Sequence, residues 1–264
     1  MEIGMGIFNG IEYEKQVECF KKLGVKRTFI GSYIPEFERI IKLFQDNDII
    51  CETLHAPFDG INNMWLDDES GDVMLDRLKD CIDKCAAYGV PVAIVHTSSG
   101  RPMPEISEYG IKRYDALFDY AREKGVKIAL ENLRYAENVM YLVKRYPDAG
   151  SCWDSGHENC FSDGEKFLEL FGDRLIALHI QDNRCIKDYD DHLIPFDGNI
   201  DFEDAMRHLS KCGYNGTMML EIGRNATIDG KKVYADLTDE EYIKRAVDAA
   251  KKLASMVETY NKGE

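Results

Sequence analysis

The sequence predicts an α/β protein folded as a single (β/α)8 barrel over residues 1–264. Short apolar, β-branched runs alternate with longer amphipathic stretches from one end to the other, the pattern of βαβ units around a parallel sheet. Eight strand-then-helix repeats suit the roughly 250 residues that one such barrel occupies. No Pro/Gly/Ser linker or low-complexity stretch divides the chain. A doubly wound open sheet shares the alternation and is the alternative architecture.

In chain order, strands are expected at residues 3–8, 27–30, 49–54, 92–95, 126–130, 149–153, 175–180 and 217–220, each followed by a polar or glycine-bearing loop. Between them apolar residues recur at spacings of three and four, as in Val73, Leu75, Leu78, Cys81, Ile82 and Cys85, or Ile111, Tyr114, Leu117, Phe118 and Ala121. That spacing gives helices with one buried stripe and a charged outer face. Gly24, Gly89 and Gly125 each stand directly before a strand, where a residue able to take the left-handed conformation closes the preceding helix.

Composition narrows the function. Apolar residues make up 44% and charged residues 31%, as in ordinary globular proteins. The 33 Lys+Arg against 48 Asp+Glu leave a net charge of −15, a field that repels polyanions and argues against nucleic acid as a partner. No apolar run approaches the roughly 20 residues that cross a bilayer, and the opening MEIGMGIFNG lacks the flank and cleavage site of a secretory signal. A cytoplasmic protein without a membrane span is expected. Eight cysteines are spread without a C-x-x-C pair, so neither a disulfide scaffold nor a thiolate zinc knuckle is indicated. Cys81 and Cys85, four apart on one helix, read as packed thiols.

Reaction sites of such barrels lie at the carboxyl ends of the strands. There the sequence reads Leu54-His55-Ala56-Pro57, Val95-His96-Thr97, Leu130-Glu131-Asn132, Trp153-Asp154-Ser155-Gly156-His157, Leu178-His179-Ile180 and Leu220-Glu221, with Asp190-Asp191-His192 in the loop after the seventh strand. Five of the six histidines and four carboxylates therefore converge on one mouth if the barrel closes; His208 alone lies outside, as a surface or packing residue. Imidazole mixed with carboxylate suits Zn²⁺, Mn²⁺ or Co²⁺. Glu131 and Glu221 directly follow apolar strands, and a cation is the simplest way to keep such carboxylates ionised.

This ordered set resembles the xylose-isomerase-like TIM barrels, the superfamily of sugar phosphate isomerases and epimerases that also contains endonuclease IV. The resemblance implies one divalent ion (Mn, Co or Mg) held by Glu131, Asp154, His179 and Glu221, with His157 touching substrate and the two glutamates moving a proton on either face of the sugar. Endonuclease IV is similar in using nine ligands for three zinc ions, and that pattern maps onto His55, His96, Glu131, Asp154, His157, His179, Asp190, His192 and Glu221. Against a DNA substrate, the loop after the second strand, Gly31-Ser32-Tyr33-Ile34-Pro35-Glu36-Phe37-Glu38, is acidic where the endonuclease needs basic and aromatic residues. Glu131-Asn132 resembles the pair common in the sugar branch. The resemblance also implies a homo-oligomer.

The expected activity is a metal-dependent isomerase or epimerase acting on a small sugar, sugar phosphate or polyol through a metal-stabilised enediolate, with Glu131 and Glu221 as catalytic acid and base. His157, Arg184 and Trp65 are the expected substrate contacts, beside Phe58, Arg101, Arg134 and Lys187 in the same loops. The alternative is a multi-zinc phosphoesterase resembling endonuclease IV.

Overall fold

A computed structural model describes residues 1–262 of the chain. Strand and helix alternate as β1 (Glu2–Gly6), α1 (Tyr13–Leu23), β2 (Arg27–Gly31), α2 (Phe37–Gln45), β3 (Ile50–His55), α3 (Glu69–Tyr88), β4 (Val92–Val95), α4 (Glu108–Lys124), β5 (Lys127–Glu131) and α5 (Ala136–Arg145). They continue as β6 (Gly150–Asp154), α6 (Ser155–Phe161), α7 (Phe167–Phe171), β7 (Leu175–His179), α8 (Phe202–Lys211), β8 (Thr217–Leu220) and α9 (Asp239–Asn261). A short hairpin, Thr227–Ile228 with Lys231–Lys232, lies between β8 and α9. No helix among the described residues is long and apolar enough to cross a membrane.

All eight strands of the main sheet are parallel, in the order β7-β6-β5-β4-β3-β2-β1-β8. Ile180, one residue past β7, bridges to Leu220: its N–H donates to Met219 O at 2.8 Å, and its carbonyl accepts Glu221 N–H at 2.9 Å. The expected (β/α)8 barrel is thereby closed at its carboxyl end, and this closure brings His179 beside Glu221. The open-sheet alternative is excluded.

Strand edges differ from expectation by one or two residues, for local reasons. β1 stops before Phe8 because the Gln16 side chain takes over the Phe8 backbone, accepting its N–H at 2.9 Å and donating to its carbonyl at 2.8 Å. β5 starts after Val126, whose N–H closes α4 on Ala121 O at 2.9 Å. Gly24, Gly89 and Gly125 take the left-handed conformation as expected, with φ of 77°, 68° and 69°.

Side chains alternate across each strand. Val95, Leu130, Trp153, Leu178 and Leu220 face outward into the helix-covered core, whereas Val92, Ile94, Ala129, Cys152 and Ala177 fill the lumen. Counting by twos, the lumen row ends in His96 just past β4, Glu131 on β5, Asp154 on β6, His179 on β7 and Glu221 just past β8. The polar cluster is thus the last layer of the barrel filling. Gly6 makes room for this layer: a Cβ there would lie 2.5 Å from the Phe29 ring, which packs on His179 at 4.5 Å. Gly6→Ala is expected to push Phe29 against His179 and to cost about 1–3 kcal/mol in thermal unfolding; an unchanged midpoint would count against this packing.

Candidate active site

Glu131 is the hub of the mouth. It is fully buried, and its carboxylate lies 2.9 Å from His179 Nδ1, 3.0 Å from His96 Nε2 and 3.3 Å from His55 Nε2. Glu221 reaches the same His179 Nδ1 at 3.1 Å from the other side of the barrel closure. Asp154 caps α6 by accepting His157 N–H at 2.6 Å through Oδ1, and belongs with Glu131, His179 and Glu221 to one group whose ligand atoms lie within 4.8 Å of one another. His157 and His192 face Asp190 Oδ2 through Nε2, at 3.2 and 3.0 Å. The nine expected residues therefore collect at one mouth, six of them in overlapping groups around Glu131 and three in a separate His157–Asp190–His192 group, with His157 Nδ1 3.7 Å from Glu131.

Backbone carbonyls orient three of these imidazoles. His55 Nδ1 is held by Ala56 O at 2.8 Å, His157 Nδ1 by Asn132 O at 3.0 Å and His192 Nδ1 by Glu221 O at 3.0 Å. With Nδ1–H donating, each Nε2 is the nitrogen left to face a carboxylate, the arrangement that prepares histidine as a ligand. Neither His96 Nδ1 nor His179 Nε2, both buried, has a hydrogen-bond partner.

The electrostatics follow from crowding these groups away from water. Burial raises the Asp154 carboxyl to about 7, with Glu221, Glu131 and Asp190 adding to the rise and His157 opposing it. Burial also works against charge on Glu131, but His179 and His96 overcome it and hold that carboxyl well below its ordinary range. Burial opposes the His192 cation as well, yet Asp190 prevails and lifts it to about 10. His96, dominated by burial, falls to about 4 and is neutral. Without a cation the cluster is thus held together by protons shared between imidazole and carboxylate. Divalent cations would displace those protons, and the donor set of imidazole nitrogens and carboxylate oxygens fits them.

Two cavities open onto the cluster. One of about 540 Å³ is lined by Tyr33, His55, Phe58, His192 and Glu221 among others, and one of about 400 Å³ by His96, Arg134, His157, Asp188 and Asp190 among others. Tyr33 and Phe58 meet edge to face at 6.1 Å and form an aromatic wall beside His55. Trp65, expected as such a wall, is a core residue instead. It is 3% exposed, packs on Tyr114 at 5.0 Å and donates from Nε1 to Thr97 O at 2.8 Å, because Gly110 leaves space for its ring. Arg184, expected on the substrate side, is committed to Asp191 by two contacts of 2.9 and 3.0 Å, and Lys187 pairs with Asp163. His208 bonds Asp204 O on α8, away from the mouth.

Sequence reading missed Cys152, Gln181 and Asp182. Cys152 lies one step below Asp154 in the lumen row, within ligand distance of Glu131 and His179. Gln181, two past His179, donates to Asp190 Oδ1 at 2.7 Å and accepts His192 N–H at 3.1 Å; continuing the alternation beyond β7 would have found it. Asp182 ties down the loop that carries Asp190 and His192: its carboxylate accepts N–H from Asn183, Phe196, Gly198 and Ile200 at 2.8–3.1 Å. An amide cannot accept all four. Asp182→Asn is expected to cost about 2–3 kcal/mol, because the loop that carries Asp190 and His192 loses its tether. Thermal unfolding checks this, and a wild-type midpoint would sink it.

A closed barrel of eight parallel strands, with buried imidazoles and carboxylates converging at their carboxyl ends, defines a TIM barrel. The chain belongs to the xylose isomerase-like TIM barrel family, whose model matches residues 5–253. Its fold is similar to that of a D-tagatose 3-epimerase-like protein, with a TM-score of 0.74 at 20% identity over 100% of this chain and 99% of that one. The D-psicose 3-epimerase of Clostridium cellulolyticum H10 superposes with a TM-score of 0.76 at 17% identity over 97% and 99%. For the 3-keto-D-glucoside 4-epimerase of E. coli the TM-score is 0.72 at 15% identity over 97% and 99%. At these identities the likeness is one of fold. In sequence, the chain is 32% identical to the uncharacterized protein y4fM of Sinorhizobium fredii over 69% of this chain, and 26% identical to the uncharacterized protein MJ1311 of Methanocaldococcus jannaschii over 64%. The matches span 61% and 63% of those two relatives' own lengths.

Proposed function

We propose that the chain is a divalent-metal-dependent isomerase or epimerase of a small sugar, sugar phosphate or polyol, working by proton transfer at the carbon next to a carbonyl. The observation that supports this reading best is the placement of two carboxylates, Glu131 and Glu221, against the same His179 Nδ1 at 2.9 and 3.1 Å, from strands on different sides of the mouth. Glu131, Asp154, His179 and Glu221 would hold the ion. When bound, a divalent cation supplies Lewis-acid polarisation of a carbonyl and its neighbouring hydroxyl, which makes the adjacent C–H acidic enough to ionise.

The chain's own groups do the rest. One of the two glutamates takes the proton. In an epimerase the other, already protonated, delivers its own proton to the opposite face, and both carboxyl groups re-equilibrate with solvent. In an isomerase the first returns its proton to the neighbouring carbon. Such positioning contributes about 10²–10⁴-fold. His157, its Nδ1 held by Asn132 O and its Nε2 paired with Asp190 Oδ2, lines the cavity of about 400 Å³, where the pair orients a substrate oxygen. Tyr33 and Phe58 exclude water from the C–H face of the sugar. The test is exchange of substrate protons for deuterium, followed by NMR with Mn²⁺- or Co²⁺-loaded protein and a panel of ketoses, ketose phosphates and inosose-like polyols. Exchange next to a carbonyl is the expected result, and its absence across the panel would sink the proposal.

The second reading, a multi-zinc phosphoesterase, is favoured by one feature: the His157–Asp190–His192 group adjoins the first. Metal content separates the two readings. One ion per chain fits isomerase chemistry, while two or three with cleavage of an abasic-site duplex would establish the hydrolase.

A further inference from the structure

We infer that the substrate carries an anionic group, a phosphate or a carboxylate, which Arg101 and Arg134 bind at the rim of the cavity in place of Asp188. The inference rests on the isomerase or epimerase reading for the identity of the reaction, but not for the existence of the anion subsite.

Among the described residues, Arg134 is the one Lys or Arg lining the cavity of about 400 Å³ that also contains His157, Asp190 and Glu221. Its guanidinium lies over the Phe161 ring at 3.7 Å, and the same ring stacks on His157 at 5.2 Å. The charge is therefore placed one aromatic ring away from the residue that orients substrate. Arg101, from the loop after β4, is fixed in a similar way: it donates to Tyr135 Oη at 3.0 Å and lies 5.3 Å from that ring. The ring contact of Arg134 and the hydrogen bond of Arg101 hold each guanidinium in place and leave other N–H groups for an acceptor.

The acceptor present is a poor match for two such forks. Arg101 Nε and Arg134 Nε approach the same oxygen, Asp188 Oδ1, at 3.4 and 3.5 Å. Elsewhere in the chain an arginine that has found its carboxylate uses both oxygens at close range, as Arg184 does with Asp191 at 2.9 and 3.0 Å and Arg145 with Asp115 at 2.7 and 2.9 Å. Among the described residues, Asp188 is the only carboxylate within 4.0 Å of either guanidinium. Asp188 is about half exposed, so releasing it to water is cheap. A phosphate or substrate carboxylate can offer oxygens to both forks at once, in shorter charge-assisted bonds. Asp188 thus marks the subsite by occupying it, and a neutral sugar would leave the two arginines as they are.

The test compares fructose 6-phosphate, 5-keto-gluconate and fructose in the proton-exchange assay, using metal-loaded wild type and the variants R134Q, R101Q and D188N. An advantage in kcat/KM of at least tenfold for the phosphate or for the acid over fructose is expected, and the favoured arm identifies the anion. That ratio should collapse in R134Q and R101Q and rise in D188N, through KM. Equal handling of all three compounds, or a ratio that neither arginine variant alters, overturns the inference while leaving the isomerase reading intact. If no compound exchanges, the isomerase reading is decided by the wider panel and the subsite is judged separately by calorimetric titration with inorganic phosphate. Binding at least fivefold weaker in R134Q and tighter in D188N upholds it; any other pattern overturns it, since phosphate held only by metal is indifferent to both side chains.

Discussion

Replacing Glu131 by glutamine is expected to lower turnover by about 10²–10⁴-fold and to lower the divalent-cation content with it. The two losses come together because this one fully buried carboxylate faces His179, His96 and His55 at 2.9, 3.0 and 3.3 Å. Glutamine preserves the volume but puts an uncharged amide, with an N–H2 donor, into a space built for an anion. Glu221 is placed differently. Its side chain is 21% exposed and pairs with one histidine ring, His179 at 3.1 Å, with His55 within 4.8 Å. Glu221→Gln is therefore expected to lose a similar factor in turnover while retaining more cation. Proton exchange measured separately from net conversion then tells epimerase from isomerase. If two carboxylates act on opposite faces, each variant should still exchange the proton of one epimer while net conversion is lost; a single base would lose both. Wild-type turnover in E131Q would remove Glu131 from the chemistry altogether.

Cation removal is the second large effect. Cation at 100 to 1,000 times its dissociation constant is expected to add roughly 3–4 kcal/mol of stability, raising the unfolding midpoint of a chain this size by about 5–15 °C over the chelated protein. The effect depends on pH with a defined sign. Ligands must be deprotonated, and in the cation-free protein Asp154 is raised to about 7 and His179 well above its ordinary value. Below these values protons occupy the ligands and compete with the ion, so affinity falls as pH falls. From pH 8 to pH 6 the loss should steepen beyond a factor of about 10 per pH unit, because Asp154 joins His179 in holding a proton. Calorimetric titrations with Mn²⁺ or Zn²⁺ across that range check it. A pH-independent affinity would show that these groups do not carry the ion.

Much of the site was legible before any tertiary structure, for a definite reason. In a parallel barrel the row of residues pointing into the lumen is set by alternation along each strand, and all eight strands end at the same rim. His96 after Val95, Glu131 after Leu130 and His179 after Leu178 could therefore be placed from local sequence. The substrate contacts were not legible in this way. Trp65 and Arg184 lie in loops, where no period says which way a side chain points. Whether Trp65 lines a cavity or fills the core depends on Gly110, 45 positions later, and whether Arg184 is free depends on Asp191 across a loop folded by Asp182.

The amino-acid sequence by itself determined the (β/α)8 architecture, the rim at which polar groups collect and, of the nine side chains that meet there, the six at strand ends, because these follow from short-range periodicity and from strand direction. Only the tertiary structure decided how the nine divide around Glu131 and Asp190, which ring nitrogen each histidine turns inward, and which arginines remain incompletely paired. Those outcomes are set by contacts between residues far apart in the chain, through barrel closure at Ile180 and the path of the loop after β7, and no local pattern encodes them.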